Sequence, residues 1–437
     1  MRRPSFLASL AIATLTALAG CSADDADDGP PRDESDYSTD QATLMDFEFD
    51  GSLLTDDSWN DKQTIYGQLL YTVGSLNQQR SVGRLDNLEL TNIVKTREGN
   101  KLKISYHAKL PVAWGSKTNL PTSYHFRLPK DVSAGGQEAF ADAYARTCVD
   151  PSAHDVDAGS FWYYYRPERS GCSIRDAEFV KPVASTTRST LNTSGKYPEY
   201  HKVWEDNALE VISIFGKYEA TGGAFDAGVT AYNQFVRTMK RELGTRVATT
   251  PANVADAPGP NVKDVTFEAT LAGGKRVKVT ALLVDEITAT WPGFDQRYES
   301  LTPTADLIVY NGHAGLGQNV RALARMGSWS EGKYQIFFMN GCDTFAYVDG
   351  SLAQTRAAIN RDDPAGTKYM EFITNAMPSY FHSMSAATTS VITGLLSYEQ
   401  PKTYDQIFSN IDHAEVVLVT GEEDNVFQPG MRIGGQP

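Results

Sequence analysis

Two hydrophobic spacings divide the chain. Between residues 44 and about 130 apolar and polar positions alternate. In 101–112 Leu102, Ile104, Tyr106, Ala108, Leu110 and Val112 fall on one face, and Phe47/Phe49 and Tyr124/Phe126/Leu128 repeat the period of two. Glu98-Gly99-Asn100 supplies a turn before the long run. Strands half-buried in this way, without intervening helical spacing, predict an antiparallel, sandwich-like β domain. A short helix is expected over 137–146, and a Ser/Thr/Gly-rich stretch at 184–196 marks a boundary.

Beyond it, continuous β-branched runs alternate with helical spacing. Strands are expected at 209–215, 265–271, 277–284, 306–310, 334–339 and 415–420, with Gly273-Gly274 turning one hairpin. Helices are expected at 225–243, 319–326, 367–376, 381–396 and 404–411, whereas 343–366 shows no regular pattern. Apolar strands alternating with helices predict an α/β domain whose sheet is mostly parallel and buried on both faces.

The first 20 residues follow another rule. Arg2 and Arg3 precede an apolar run over 6–19, too short to span a bilayer as a helix, so the segment reads as a signal peptide. Leu18-Ala19-Gly20-Cys21 resembles a bacterial lipobox, which implies cleavage before Cys21 and a lipid on that cysteine. By the same resemblance Ser22 after the cysteine favours the outer membrane. The expected location is thus the bacterial cell envelope, lipid-anchored, facing the periplasm or the cell surface. Residues 22–42 carry eight acidic side chains and almost nothing apolar, the composition of a solvated tether.

The 437 residues carry 54 acidic and 40 basic side chains, a formal charge of −14. That balance offers no basic face for phosphate, so a nucleic-acid partner is not expected. Four cysteines exclude a disulfide-stapled miniprotein and a multi-zinc scaffold. With Cys21 lipidated in an oxidising compartment, the economical pairing is Cys148–Cys172, closing a loop around Phe161-Trp162-Tyr163-Tyr164-Tyr165. Cys342 is then left over.

Ligands of open α/β sheets collect at the carboxyl ends of the strands. One apolar strand there leads into Asn311-Gly312-His313-Ala314-Gly315, and the next into Asn340-Gly341-Cys342-Asp343-Thr344. As chemistry, Cys342 is a nucleophile and His313 its acid/base partner. Backbone N–H groups of the turns at Gly312, Ala314, Gly315 and Gly341 are candidates to receive an oxyanion, with Asn340 and Asp343 beside them. A phosphate loop fits neither glycine pattern, and a metal site lacks a further ligand beyond His313, Cys342 and Asp343. A buried, inert cysteine is the plain alternative. The other histidines (His107, His125, His154, His201, His382 and His413) are read as structural.

Gly-His at one strand end and Gly-Cys at the next, 29 residues from histidine to cysteine, resembles the caspase-like (clan CD) cysteine peptidases, gingipain- and CHAT-like members above all. The resemblance covers about 205–425. It implies a caspase-like α/β/α sandwich, a His313–Cys342 dyad, peptide-bond hydrolysis and no metal or other cofactor. One departure is Ala314, where the family usually has glycine. Neither Asp285 nor Asp306 is assigned as a third catalytic member, and 343–366 is expected to form a specificity wall or to be cut on maturation. The expected organisation is a signal peptide (1–20), a lipidated cysteine with acidic tether (21–42), a β-rich domain (43–182), a linker (183–204) and a caspase-like domain (205–437). The expected function is a surface-anchored cysteine endopeptidase acting on protein or peptide, held to the membrane by its lipid. A silent binding lipoprotein and another thiol acyl-hydrolase are the alternatives, and no partner is assigned to the β domain.

Overall fold

The computed structural model describes residues 37–153, 156–245, 247–287, 290–347 and 350–434, so the expected signal peptide, Cys21, most of the expected tether and His154 lie outside the described residues. Ten strands form the main sheet. Its centre is five parallel strands in the order Arg276–Val284, Ala208–Gly216, Leu307–Asn311, Gln335–Asn340 and Met370–Asn375. Antiparallel strands extend it on both sides, Asp264–Thr270 and Ala248–Thr250 on one and Val417–Gly421 on the other. Every residue of Leu307–Asn311 and Gln335–Asn340 is buried. That accounts for their unbroken apolar runs, because parallel strands need crossovers that cover both faces.

Alternate side chains feed two helical layers. Val211, Phe215, Val309 and Phe338 pack with helices Ala227–Leu243 and Phe381–Leu396. Ile212, Ile214, Ile308, Phe337 and Met339 pack with Phe294–Leu301, Gln318–Met326 and Ser351–Ile359. The first of these helices starts at Asp226, whose carboxylate accepts from the N–H groups of Gly228 and Val229 at 2.8 and 3.1 Å, and stops at Gly244.

Four expectations change. Residues 367–376 contain a central strand, Met370–Asn375, instead of a helix. Its buried Glu371 hides the apolar run: one carboxylate oxygen accepts from the hydroxyls of Tyr334 and Tyr404, and the other lies 3.4 Å from Lys196. The stretch 343–366 contains two helices, Thr344–Tyr347 and Ser351–Ile359. The N-terminal half is a six-stranded antiparallel sheet with a separate two-stranded ladder, Leu128–Pro129 with Phe179–Val180, and it includes helices Asp61–Leu69, Tyr71–Asn77 and Ala134–Tyr144 where no helix but the last was expected. Lastly, 183–204 is no linker. Val183–Arg188 pairs with the N-terminal strand Thr43–Thr55, Asn192–Thr193 joins the main sheet, and Tyr200 and Trp204 are fully buried.

The end of the expected tether is likewise structured. Tyr37–Ser38 sits in the main sheet between Asn192–Thr193 and Val417–Gly421. Tyr37, Trp162 and most N-terminal core residues share one hydrophobic cluster with Ala314, Phe345, Ala346 and Tyr347, which follow the strands bearing His313 and Cys342. The N-terminal lobe therefore rests on the carboxyl end of the parallel sheet.

Cys148 and Cys172 form a disulfide around the aromatic run. Replacing both by alanine is expected to cost about 3 kcal/mol, the loop-closure value for this spacing. A urea titration checks it; an unchanged midpoint would mean that packing alone holds the loop.

Candidate functional site

Asn311 and Asn340 face each other at the ends of adjacent parallel strands. Both are fully buried and joined side chain to side chain, Asn340 Nδ2 donating to Asn311 Oδ1 at 2.9 Å. The hydroxyls of Thr388 and Ser379 complete this polar bolt, donating to Asn311 and Asn340 at 3.0 and 2.7 Å. His313 and Cys342 each stand two residues beyond the paired asparagines, so one bolt sets the position of both turns.

The turns touch. Gly312 N–H donates to the Asn340 carbonyl at 3.2 Å. A Cβ on Gly341 would stand 2.9 Å from the Gly312 carbonyl oxygen, closer than side-chain carbons approach, and a tight 3.3 Å from Ala314 N. Glycine at 341 thus permits the contact. Gly315, at φ +57°, occupies the left-handed region. Ala314 has ordinary helical angles, and its methyl is buried in the core shared with the N-terminal lobe. The N–H groups of Ala314 and Cys342 have no acceptor among the described hydrogen bonds.

His313 is exposed, with its ring between Tyr218 and Phe381 at centroid separations of 5.3 and 5.2 Å. Its Nε2 lies 3.0 Å from the Tyr218 carbonyl. A carbonyl only accepts, so Nε2 carries the hydrogen of that bond, which in the neutral ring leaves the lone pair on Nδ1. Asp285 does not serve as its orienting partner: it is engaged by Lys217 at 2.6 Å and Lys263 at 3.0 Å. Burial works to raise the Asp285 pKa, and those lysines hold it below the usual carboxylate range. Asp306 is buried elsewhere, on Lys333.

Cys342 is the free cysteine of the described residues and is half-buried, its Sγ 3.5 Å from the Ser379 carbonyl. Burial first, and the neighbouring Asp343 carboxylate second, push its thiol up to about 11. In this state the thiol is protonated at neutral pH. Among the described contacts there is no hydrogen bond between His313 and Cys342. Asp343 is fully buried in the left-handed region at φ +51°, with its pKa raised by burial to about 6. A side chain of the N-terminal lobe holds it: Asn77 Nδ2 donates to Asp343 Oδ1 at 2.9 Å.

Beside His313 opens a cavity of about 230 Å³, walled by Lys217, Tyr218, Asp285, Glu286, Gln318 and Asn319. Tyr380, next to Phe381, is 42% exposed and adds to the aromatic rim. Tyr218, Asn77 and Ser379 were not legible as site residues, because each comes from a segment remote from either motif. The histidines read as structural make ordinary contacts where described: His107 pairs with Asp50 at 2.9 Å, and His201 stacks on Phe427.

No family model, no curated protein and no solved structure matches the chain. Among the described residues no group of three or more His, Cys, Asp or Glu is arranged to hold a metal ion, and no helix is long and apolar enough to cross a membrane.

Proposed function

We propose that the chain is a lipid-anchored cysteine endopeptidase of the caspase-like type. Cys342 attacks the scissile carbonyl, and His313, through Nδ1, takes the thiol proton and returns it to the leaving amine. The Ala314 and Cys342 N–H groups receive the oxyanion. The observation that carries this reading is the common offset of His313 and Cys342 from the Asn311–Asn340 pair, which brings a free thiol and an imidazole of defined tautomer to adjacent strand ends. Catalytic hydrogen bonds often tighten only when substrate is bound, so an unformed thiol–imidazole bond is compatible with it.

A second reading has its own support. The raised thiol pKa and the Ser379 contact describe a sulfur at rest, as in a silent protein that binds without cleaving. The experiment that separates the two uses the chain with Cys21→Ser, secreted without lipid, and its Cys342→Ala derivative. Each is incubated with a proteome-derived peptide mixture, and new termini are mapped by mass spectrometry. Cuts made only by the parent are expected, and they reveal the residue preferred before the cut. Absence of cuts from both favours the binder.

A further inference from the structure

His313 is held at two points. Its main-chain carbonyl accepts from the Tyr310 hydroxyl at 2.9 Å and from Asn319 Nδ2 at 2.5 Å. Its ring is held by Tyr218, through the carbonyl at Nε2 and through the neighbouring phenol ring. Tyr218 itself lies outside any strand or helix, two residues past the end of strand Ala208–Gly216. One carboxylate fixes that segment. Asp226 Oδ1 accepts from the Tyr218 N–H at 3.0 Å, and Oδ2 accepts from the Glu219 N–H at 2.9 Å. The same Oδ1 takes the Gly228 and Val229 N–H groups as the cap of helix Ala227–Leu243. Four backbone donors thus converge on one side chain, whereas a helix cap needs one or two.

Two glycines make room for this clamp. A Cβ on Gly222 would stand 2.3 Å from Asp226 Oδ2, and one on Gly228 would stand 2.1 Å from the Gly216 carbonyl oxygen. The loop therefore wraps the carboxylate, and the helix start abuts the strand end. The Lys217 N–H, donating to the Val284 carbonyl at 3.0 Å, ties down the residue before Tyr218.

We propose that Asp226 is a positioning residue for His313: its carboxylate fixes the Tyr218–Glu219 backbone, so that the Tyr218 carbonyl holds the imidazole with its hydrogen on Nε2. The role rests on reading His313 as the acid/base partner of Cys342. Hydrogen bonds to a carboxylate are stronger than those to a neutral acceptor, and its two oxygens serve helix and loop together. A serine or threonine would cap the helix as well but has one oxygen for four donors. Without the clamp the Tyr218 peptide is free to turn, and Nε2 loses its acceptor. The ring hydrogen then divides between the two nitrogens, and the Nδ1 lone pair is present in only part of the molecules. Asp226 bonds to backbone alone, so it acts on the imidazole through Tyr218.

The test uses the full chain with Cys21→Ser, labelled with nitrogen-15 in its histidine rings, at pH 9 where imidazole is neutral. His313→Gln assigns the two ring signals. Asp226→Ser keeps an acceptor for the helix cap and gives up Tyr218 and Glu219. The ratio of Nε2–H to Nδ1–H tautomers is expected to fall about fivefold, the worth of one ordinary hydrogen bond, with the two signals moving toward each other. Asp226→Asn keeps Oδ1 for Tyr218 and is expected to restore most of the parent ratio. A side chain that only caps its helix would change the melting temperature and leave the ratio alone. Ring signals of Asp226→Ser that superimpose on those of the parent would overturn the proposal. Should Asp226→Ser fail to fold, Gly222→Ala decides, since its methyl displaces Oδ2 from Glu219; an unmoved ratio there overturns it. No peptide is involved, so an absence of cleavage leaves this test standing. Conversely, a cleaving enzyme with unmoved ring signals would sink only Asp226.

Discussion

Replacing Cys342 by alanine is expected to abolish peptide cleavage, a loss of at least about 10³-fold, with the fold intact. Alanine keeps the backbone N–H that would meet the oxyanion but removes the atom that forms the acyl bond. The side chain is small and half-buried, with one weak contact at Ser379, so its loss touches stability little. His313→Ala is expected to cost about 10²–10⁴ in kcat, the usual worth of a positioned acid/base, with little change in KM. His313 is exposed and bonds only to the Tyr218 carbonyl through its ring, so this variant too should fold. Kinetics on one mapped peptide, alongside thermal melts, check both. Equal activity of parent and Cys342→Ala would end the cysteine mechanism; an unaffected His313→Ala would move the proton transfer to another group.

The second large effect concerns pH. Burial raises the pKa of Asp343 to about 6, of Asp306 to about 7 and of Glu422 to about 11, and raises Glu371, Glu415 and Glu199 as well. In the unfolded chain these carboxyls titrate near 4. From pH 5 to pH 8 the unfolded state has already released protons that the folded state retains. Stability therefore falls as pH rises through this window. His201, whose pKa is lowered by burial, contributes the opposite slope below about 6.5, but it is one partly exposed group. The carboxyls held below their usual value, such as Asp131 and Asp150, lose their contribution only below about pH 4. The expected result is a melting temperature roughly 5 °C higher at pH 5 than at pH 8, from about 3 kcal/mol. Melts across this range check it, and a melting temperature that rises toward pH 8 would show these carboxyls to be ionised and paired in the fold.

The strands that form the centre of the sheet were legible because burial on both faces leaves an unmistakable apolar run, as in 209–215 and 334–339. The helix Phe381–Leu396 was legible from its length and spacing. Met370–Asn375 was not, since a lone glutamate in a short run looks like a helix face until its partners, Tyr334, Tyr404 and Lys196, arrive from elsewhere in the fold. The helices Asp61–Leu69 and Tyr71–Asn77 escaped for a related reason. The second is buried along its whole length and carries little polar contrast to read. At the site, glycine beside histidine and glycine beside cysteine were local signals. Asn77 and the Tyr218 carbonyl were not, because they act through contacts between segments far apart in the chain. The boundary at 183–204 failed on the same point: a polar composition conceals strands whose backbone is satisfied by two different sheets.

The short strand Tyr37–Ser38 pairs with Val419, close to the opposite end of the described chain. A chain made amino end first can pair one side of that segment with Asn192–Thr193 but leaves its other side unpaired until some 380 further residues have followed. The main sheet is completed only when nearly all of the described chain is present, a non-local pairing that slows folding and leaves an unsatisfied sheet edge in the interval. Assembly in this order carries a built-in delay: the segment that ties the N-terminal lobe into the main sheet finds its full place only once the last strand, Val417–Gly421, has been made.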